Sequence, residues 1–178
     1  MFQDIKLGKF SFLLIFLLPI LWLLSGYIYT DKHINELTTQ KYTEIAKEMH
    51  NELKTLISEK AETVLIIAMS ISQNPEIKNM LLSNTGEVKL DAFSEELRQN
   101  TSLKNMWFQV ISADGTSLYR SWTEKRSNVK KARIDIVEMI KNPQIMSSIS
   151  VGKFDLAFKS MVPIFDKNDV FIGLIETI

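Results

Sequence analysis

Three hydrophobic patterns follow one another along the chain, and each predicts a different kind of element. Residues 10–29, FSFLLIFLLPILWLLSGYIY, carry no charge. About 20 such residues cross a hydrocarbon layer of ~30 Å as a helix, so a transmembrane helix is predicted over 10–30. Pro19 is tolerable in such a helix, and Trp22, Tyr27 and Tyr29 fall near its far end, where aromatic rings favour the interface. Lys6 and Lys9 precede the run, while Asp31 and Lys32 follow it with no net charge. The positive-inside rule then puts residues 1–9 in the cytoplasm and everything after the run outside. A cleaved signal peptide is the alternative. The apolar run continues past Leu23-Leu24-Ser25-Gly26, a poor cleavage site, which favours an uncleaved anchor.

From 31 to 72 no Pro or Gly interrupts the chain. Apolar residues at Ile34, Leu37, Ile45, Met49, Leu53, Leu56, Ile57, Val64 and Ile67 recur mostly at spacings of 3 and 4, the period of an amphipathic helix. Forty helical residues reach ~60 Å. The aliphatic second half is the part expected to pack on a sheet, and the first half offers a seam for a helix pair. Pro75 then opens a short helix, PEIKNMLLS, and Asp91 is expected to cap another reaching about Asn100.

After Leu103 the period shortens to 2. Strands are predicted over 106–112 and 117–123, joined by a turn with Asp114-Gly115 at its centre. A polar, basic loop follows, then a helix over 134–140 that stops before Asn142-Pro143. A short strand around 145–151 and two longer ones over 153–165 and 170–178 complete the list, the last two joined by the turn Asp166-Lys167-Asn168-Asp169. The predicted class is α+β: an N-terminal transmembrane helix, a long amphipathic helix, and an antiparallel sheet of about five strands.

Composition narrows the chemistry. The 178 residues carry 21 Lys+Arg against 21 Asp+Glu, without the basic excess that nucleic-acid binding asks for, so no nucleic-acid partner is expected. There is no Cys, which excludes disulfides, thiolate metal sites and thiol nucleophiles. With two His, His33 and His50, no metal and no cofactor is expected. The sequence has no Gly-rich phosphate loop, HExxH or GxSxG, and nothing around which to build a triad, so the chain is expected not to be an enzyme.

The stretches VISADGTSLYRSW (110–122) and SVGKFDLAFKSMVPIFDKNDVFIGLIETI (150–178) resemble the two hairpins of the Cache family. Its members are extracytoplasmic PAS-like sensors of bacterial chemoreceptors, histidine kinases and cyclic-dinucleotide enzymes. The resemblance covers about 31–178 and implies a PAS-like sensor domain over 73–178. It also implies a single-pass protein of the bacterial inner membrane, with 31–178 extracytoplasmic and a homodimer formed through the long helix. Receptors of this family continue into a second membrane helix and a cytoplasmic output module. The sequence carries neither, so the chain is expected to be a truncated receptor or to act without its own output.

The family's pocket lies on the sheet face away from the long helix, under the segment between the hairpins, here 124–151. Strand alternation puts Leu118, Arg120 and Trp122 on one face of their strand, with Tyr119 and Ser121 opposite. It puts Phe154, Leu156, Phe158 and Val162 on the core face of the next long strand, with Asp155, Ala157, Lys159 and Met161 on the other. The candidate ligand-binding residues are Tyr119, Arg120, Trp122, Asp155 and Lys159. Arg grips a carboxylate by paired hydrogen bonds, Asp takes an ammonium, and Trp offers a flat wall. The implied partner is a small organic ligand: an amino acid, organic acid or amine. Some amino-acid-binding members carry Arg-x-Trp-Tyr after a Tyr and before a later Asp. Arg120-Ser121-Trp122 matches in part, with Thr123 where the second Tyr would fall.

Simpler readings stand beside these. Arg120 and Asp155 could pair across neighbouring strands on a wet face. Trp122 could be packing, Trp107 is expected in the core, and Lys125, Arg126, Lys130, Lys131 and Arg133 read as a solvated loop from which one could reach the pocket. The leading function is a membrane-anchored sensor that signals through its N-terminal helix. The alternative is a structural or partner-docking protein whose pocket is filled by side chains.

Overall fold

The computed structural model describes residues 4–86, 88–103, 105–151 and 156–178, with side chains from residue 15 onward. The chain divides into two compact units, Met1–Lys54 and Thr55–Ile178. The first consists, as far as it is described, of helix α1 (Asp4–Ser72), which also supplies the first element of the second. The predicted membrane helix and long helix are thus one element, because no Gly or Pro separates Tyr29 from Ile34. Among the described residues no helix is long and apolar enough to cross a membrane. The expected span at 10–30 begins with residues 10–14, whose side chains lie outside that description.

In the second unit, the end of α1 is followed by α2 (Pro75–Ser83) and α3 (Leu90–Asn100). The strands are β1 (Phe108–Ser112), β2 (Ser117–Arg120), β3 (Met146–Val151), β4 (Leu156–Phe165) and β5 (Phe171–Thr177), with α4 (Ile134–Lys141) between β2 and β3. All pairings are antiparallel and the spatial order is β2-β1-β5-β4-β3. The strand latest in sequence is therefore the central one.

Local chemistry explains most boundaries. Asn74 caps α2 by accepting from the Glu76 N–H at 2.8 Å, with Pro75 as its first residue. α3 starts one residue before the expected cap: Lys89 is its N-cap without a side-chain bond, and Asp91 falls in the first turn. The β1–β2 turn works as its Asp-Gly dipeptide predicts. Gly115 takes φ +87°, and Asp114 accepts from the Thr116 N–H and Oγ1, both at 2.9 Å, and from the Ser112 hydroxyl. Asp166 does the same for the β4–β5 turn, accepting from the Asn168 and Val170 N–H groups.

The sheet buries apolar side chains on both faces. Phe108, Val110, Val162, Ile164 and Ile175 face the helices and pack with Val64, Ala68 and Ile71 of α1 and Ile77, Met80 and Leu81 of α2. The opposite face carries Ile111, Met161 and Leu174, covered by Ile136 and Met139 of α4. Phe158 and Lys159 alternate as expected, the first toward the helices, the second toward α4. Gly173 has a packing reason: a Cβ there would lie 2.4 Å from the Ile111 carbonyl oxygen and 2.5 Å from Leu81 Cδ2. Trp107, expected in the core, is instead half exposed. It falls between buried Met106 and Phe108, so alternation turns it away from the helix-side core, and it meets Trp122 at a ring separation of 6.1 Å.

Candidate ligand-binding site

A row of cross-strand neighbours crosses the α4 side of the sheet. Arg120 of β2 stands opposite Gln109 of β1, Gln109 opposite Glu176 of β5, and Glu176 opposite Met161 of β4. Lys159 lies two residues before Met161 on the same face. Arg120, Gln109, Glu176 and Lys159 lie beside apolar Ile111, Met161 and Leu174, and Glu176, at the centre of the row, is fully buried.

A buried carboxylate is tolerable only when its oxygens are bonded and its charge is matched. Both conditions are met. Arg133, the N-cap residue of α4, brings Nη1 to Glu176 Oε2 at 2.8 Å and Nη2 to Oε1. Gln109, its amide nitrogen turned to the carboxylate, donates to Oε2 at 3.1 Å. Its amide oxygen then accepts from Ser117 Oγ at 2.9 Å and Arg120 Nε at 3.1 Å. Lys159 Nζ lies 3.8 Å from Oε1.

Arg133 has a second carboxylate on its other edge. Asp135, in the first turn of α4, accepts from Arg133 Nε at 3.1 Å and Nη2 at 2.6 Å, and Lys159 Nζ stands 3.5 Å from it. Burial works against the charged guanidinium, but the hydrogen bonds and charges of Glu176 and Asp135 outweigh it and push the Arg133 pKa up. Burial likewise opposes the Asp135 carboxylate, while the bonds and charge of Arg133, with the charge of Lys159, hold its pKa below the ordinary value. A continuous chain of polar contacts thus runs Lys159–Asp135–Arg133–Glu176–Gln109–Arg120.

The loop from 121 to 133 delivers Arg133. It returns along the free edge of β2, with bonds from the Ser117 N–H to the Ser127 carbonyl and from the Val129 N–H to the Gly115 carbonyl, both within 3.0 Å. Arg120 donates to the Lys125 carbonyl at 3.1 Å and to Ser127 Oγ at 3.3 Å, which ties the loop to the polar row.

Of the residues expected to bind ligand, the structure brings Arg120 and Lys159 to opposite ends of this cluster. Asp155 lies outside the described residues. β1 and β5 lie between β2 and β4, so a neighbouring-strand pair between Arg120 and a β4 residue is not available. Trp122 sits with Trp107. Tyr119 is buried on the helix side, its ring 5.8 Å from the Arg126 guanidinium; burial first, then the Asp91 charge, pushes its hydroxyl pKa up. Asp135, Gln109 and Glu176 were not singled out from sequence, and Arg133 was named only as one of five basic loop residues from which one could reach the pocket. Glu176 did leave a signal: it is the one charge in VFIGLIETI, flanked by Ile175 and Thr177.

No family model and no curated protein matches the sequence. Among solved structures the chain is similar to the sensor domain of Escherichia coli DcuS. The identity is 22%, the match covers 66% of this chain and 85% of that one, and the TM-score is 0.50. The chain shares the fold of that domain. That agrees with the Cache resemblance of the two hairpins. An extracellular ligand binding receptor of Desulfohalobium retbaense is also similar, over 68% of this chain and 24% of that one, at 15% identity and TM-score 0.44.

Proposed function

We propose that the chain is the sensory part of a membrane-anchored receptor, with an extracytoplasmic domain that binds a small organic molecule beneath α4. One observation carries this reading. The roof helix is joined to the central strand by charge, through Arg133 and the buried Glu176, rather than by aliphatic packing alone. Buried ion pairs contribute little net stability against hydrophobic replacements, whereas charged groups converging under a lid suit recognition. Arg133 and Lys159 fit a carboxylate, and the acidic partners leave an ammonium possible, so amino acids, organic acids and amines all qualify.

Anchoring is supported by the exposed apolar residues Ile15, Leu18, Trp22, Leu23 and Tyr27, and pairing with a second copy by exposed Ile34, Ile45, Met49, Leu53 and Leu56. The continuity of α1 supports transmission along it of a change that begins at α4. The proposed role is non-enzymatic, at the bacterial inner membrane.

The docking alternative has an observation of its own: Ile136 and Met139 are fully buried and fill the apolar part of the space under α4. The deciding experiment is thermal unfolding of the purified chain against a panel of amino acids, organic acids and amines. A compound-specific rise in Tm that Lys159→Met reduces is the expected result. A panel that shifts nothing transfers the case to partner docking.

A further inference from the structure

The two carboxylates on Arg133 are not equivalent, and the difference, taken with the reading of this cluster as the binding site, names the ligand's charge and what it must displace. Glu176 is fully buried on the central strand and shares its oxygens with Gln109. Asp135 is about one-third exposed and lies at the start of a roof helix. Apart from the two cations, its hydrogen-bond partner is the N–H of Ile136, next to it in the chain, at 3.0 Å. The inner edge of the guanidinium is committed to the sheet. The outer edge is held by a carboxylate that water already reaches.

We propose that Asp135 is an internal stand-in for the carboxylate of the ligand. In the unliganded domain it occupies the Nε–Nη2 edge of Arg133 and the ammonium of Lys159, and a free carboxylate binds by taking its place. Charge agrees with this. Among the charges in direct contact, Arg133 and Lys159 balance Glu176 and Asp135, so withdrawal of Asp135 leaves that group one net positive charge, the complement of one carboxylate; Arg120, linked to it only through Gln109, adds charge of the same sign. An amine gains nothing here, because Asp135 already faces two cations. Displacement also releases the first turn of α4 from Lys159 of β4, so occupancy is converted into a change at the start of the roof helix.

A site occupied by its own carboxylate has its affinity scaled down to the fraction of time it is open, about tenfold weaker if it is closed about nine-tenths of the time. The test uses the full chain and formate, the one-carbon carboxylate that matches the group removed in Asp135→Ala. Asp135→Ala should melt below the wild type in chloride and recover most of that loss in formate at equal ionic strength. The wild type should not move, and adding Arg133→Gln should abolish the recovery. Asp135→Asn, which keeps the side-chain shape, should bind carboxylates from the panel about tenfold more tightly than the wild type and remains usable if the alanine variant fails to fold. If formate and chloride leave Asp135→Ala at the same Tm, and Asp135→Asn gains no affinity for a carboxylate that the wild type binds, the stand-in is wrong while the binding site survives. If no anion affects wild type or variants, the binding-site reading falls with it.

Discussion

The two faces of the sheet solve the same problem by different means. The helix side joins α1, α2 and the strands through an aliphatic and aromatic core centred on Phe108, Val110, Ile164 and Ile175. The α4 side has a smaller apolar cluster and beside it a row of charges. Apolar burial is non-directional and proportional to area, so it holds a face shut whatever the solution contains. A charged contact is directional and can be exchanged for an equivalent one from outside. One face is therefore built to stay closed, and the other is built from contacts a solute can replace.

The largest test breaks the helix side. Phe108→Ala should cost about 3–5 kcal/mol in chemical denaturation, and no added solute should restore it. Arg133→Ala should cost about as much, because it strands Glu176 as an uncompensated buried charge. Here the loss should be recoverable: combining Arg133→Met with Glu176→Gln should bring stability back near the wild type. Two unrecoverable losses would erase the distinction between the faces.

Acid sharpens the comparison at smaller scale. A carboxyl whose pKa is lowered by folding, as at Asp135, contributes its full stability above its unfolded value of about 4 and loses it as pH falls through the lower folded value. Stability measured from pH about 5 downward should therefore fall more steeply in the wild type than in Asp135→Asn. The smallest effect belongs to the helix side: Asn74→Ala removes the cap of α2 and should cost about 1 kcal/mol, with no change in the acid profile.

Local chemistry was legible in the sequence. Asn74-Pro75 marked α2, Asp114-Gly115 marked the first hairpin, and period-2 alternation separated Phe158 and Val162 from Lys159 and Met161. What local pattern could not supply was the partner of each strand. Gln109 and Glu176 are 67 positions apart and become neighbours only because β5 enters between β1 and β4. Arg133 was hidden for the opposite reason. It ends a run of basic residues that mostly face solvent, and nothing in its neighbours distinguishes it from Lys130 or Lys131. The site expected from sequence thus had its two ends, Arg120 and Lys159, without its middle.

The position of β5 also sets a timetable. β1–β2 and β3–β4 are local hairpins and can form as soon as each is synthesised, but they meet only through a strand that follows both in the chain. Until residues 171–177 arrive, two half-sheets wait with open edges, and Arg133 has no Glu176 to hold. Long-range closure of this kind slows folding. A nascent chain stalled before β5 would show two hairpins and four helices to the cell's quality control, with the central seam still unpaired.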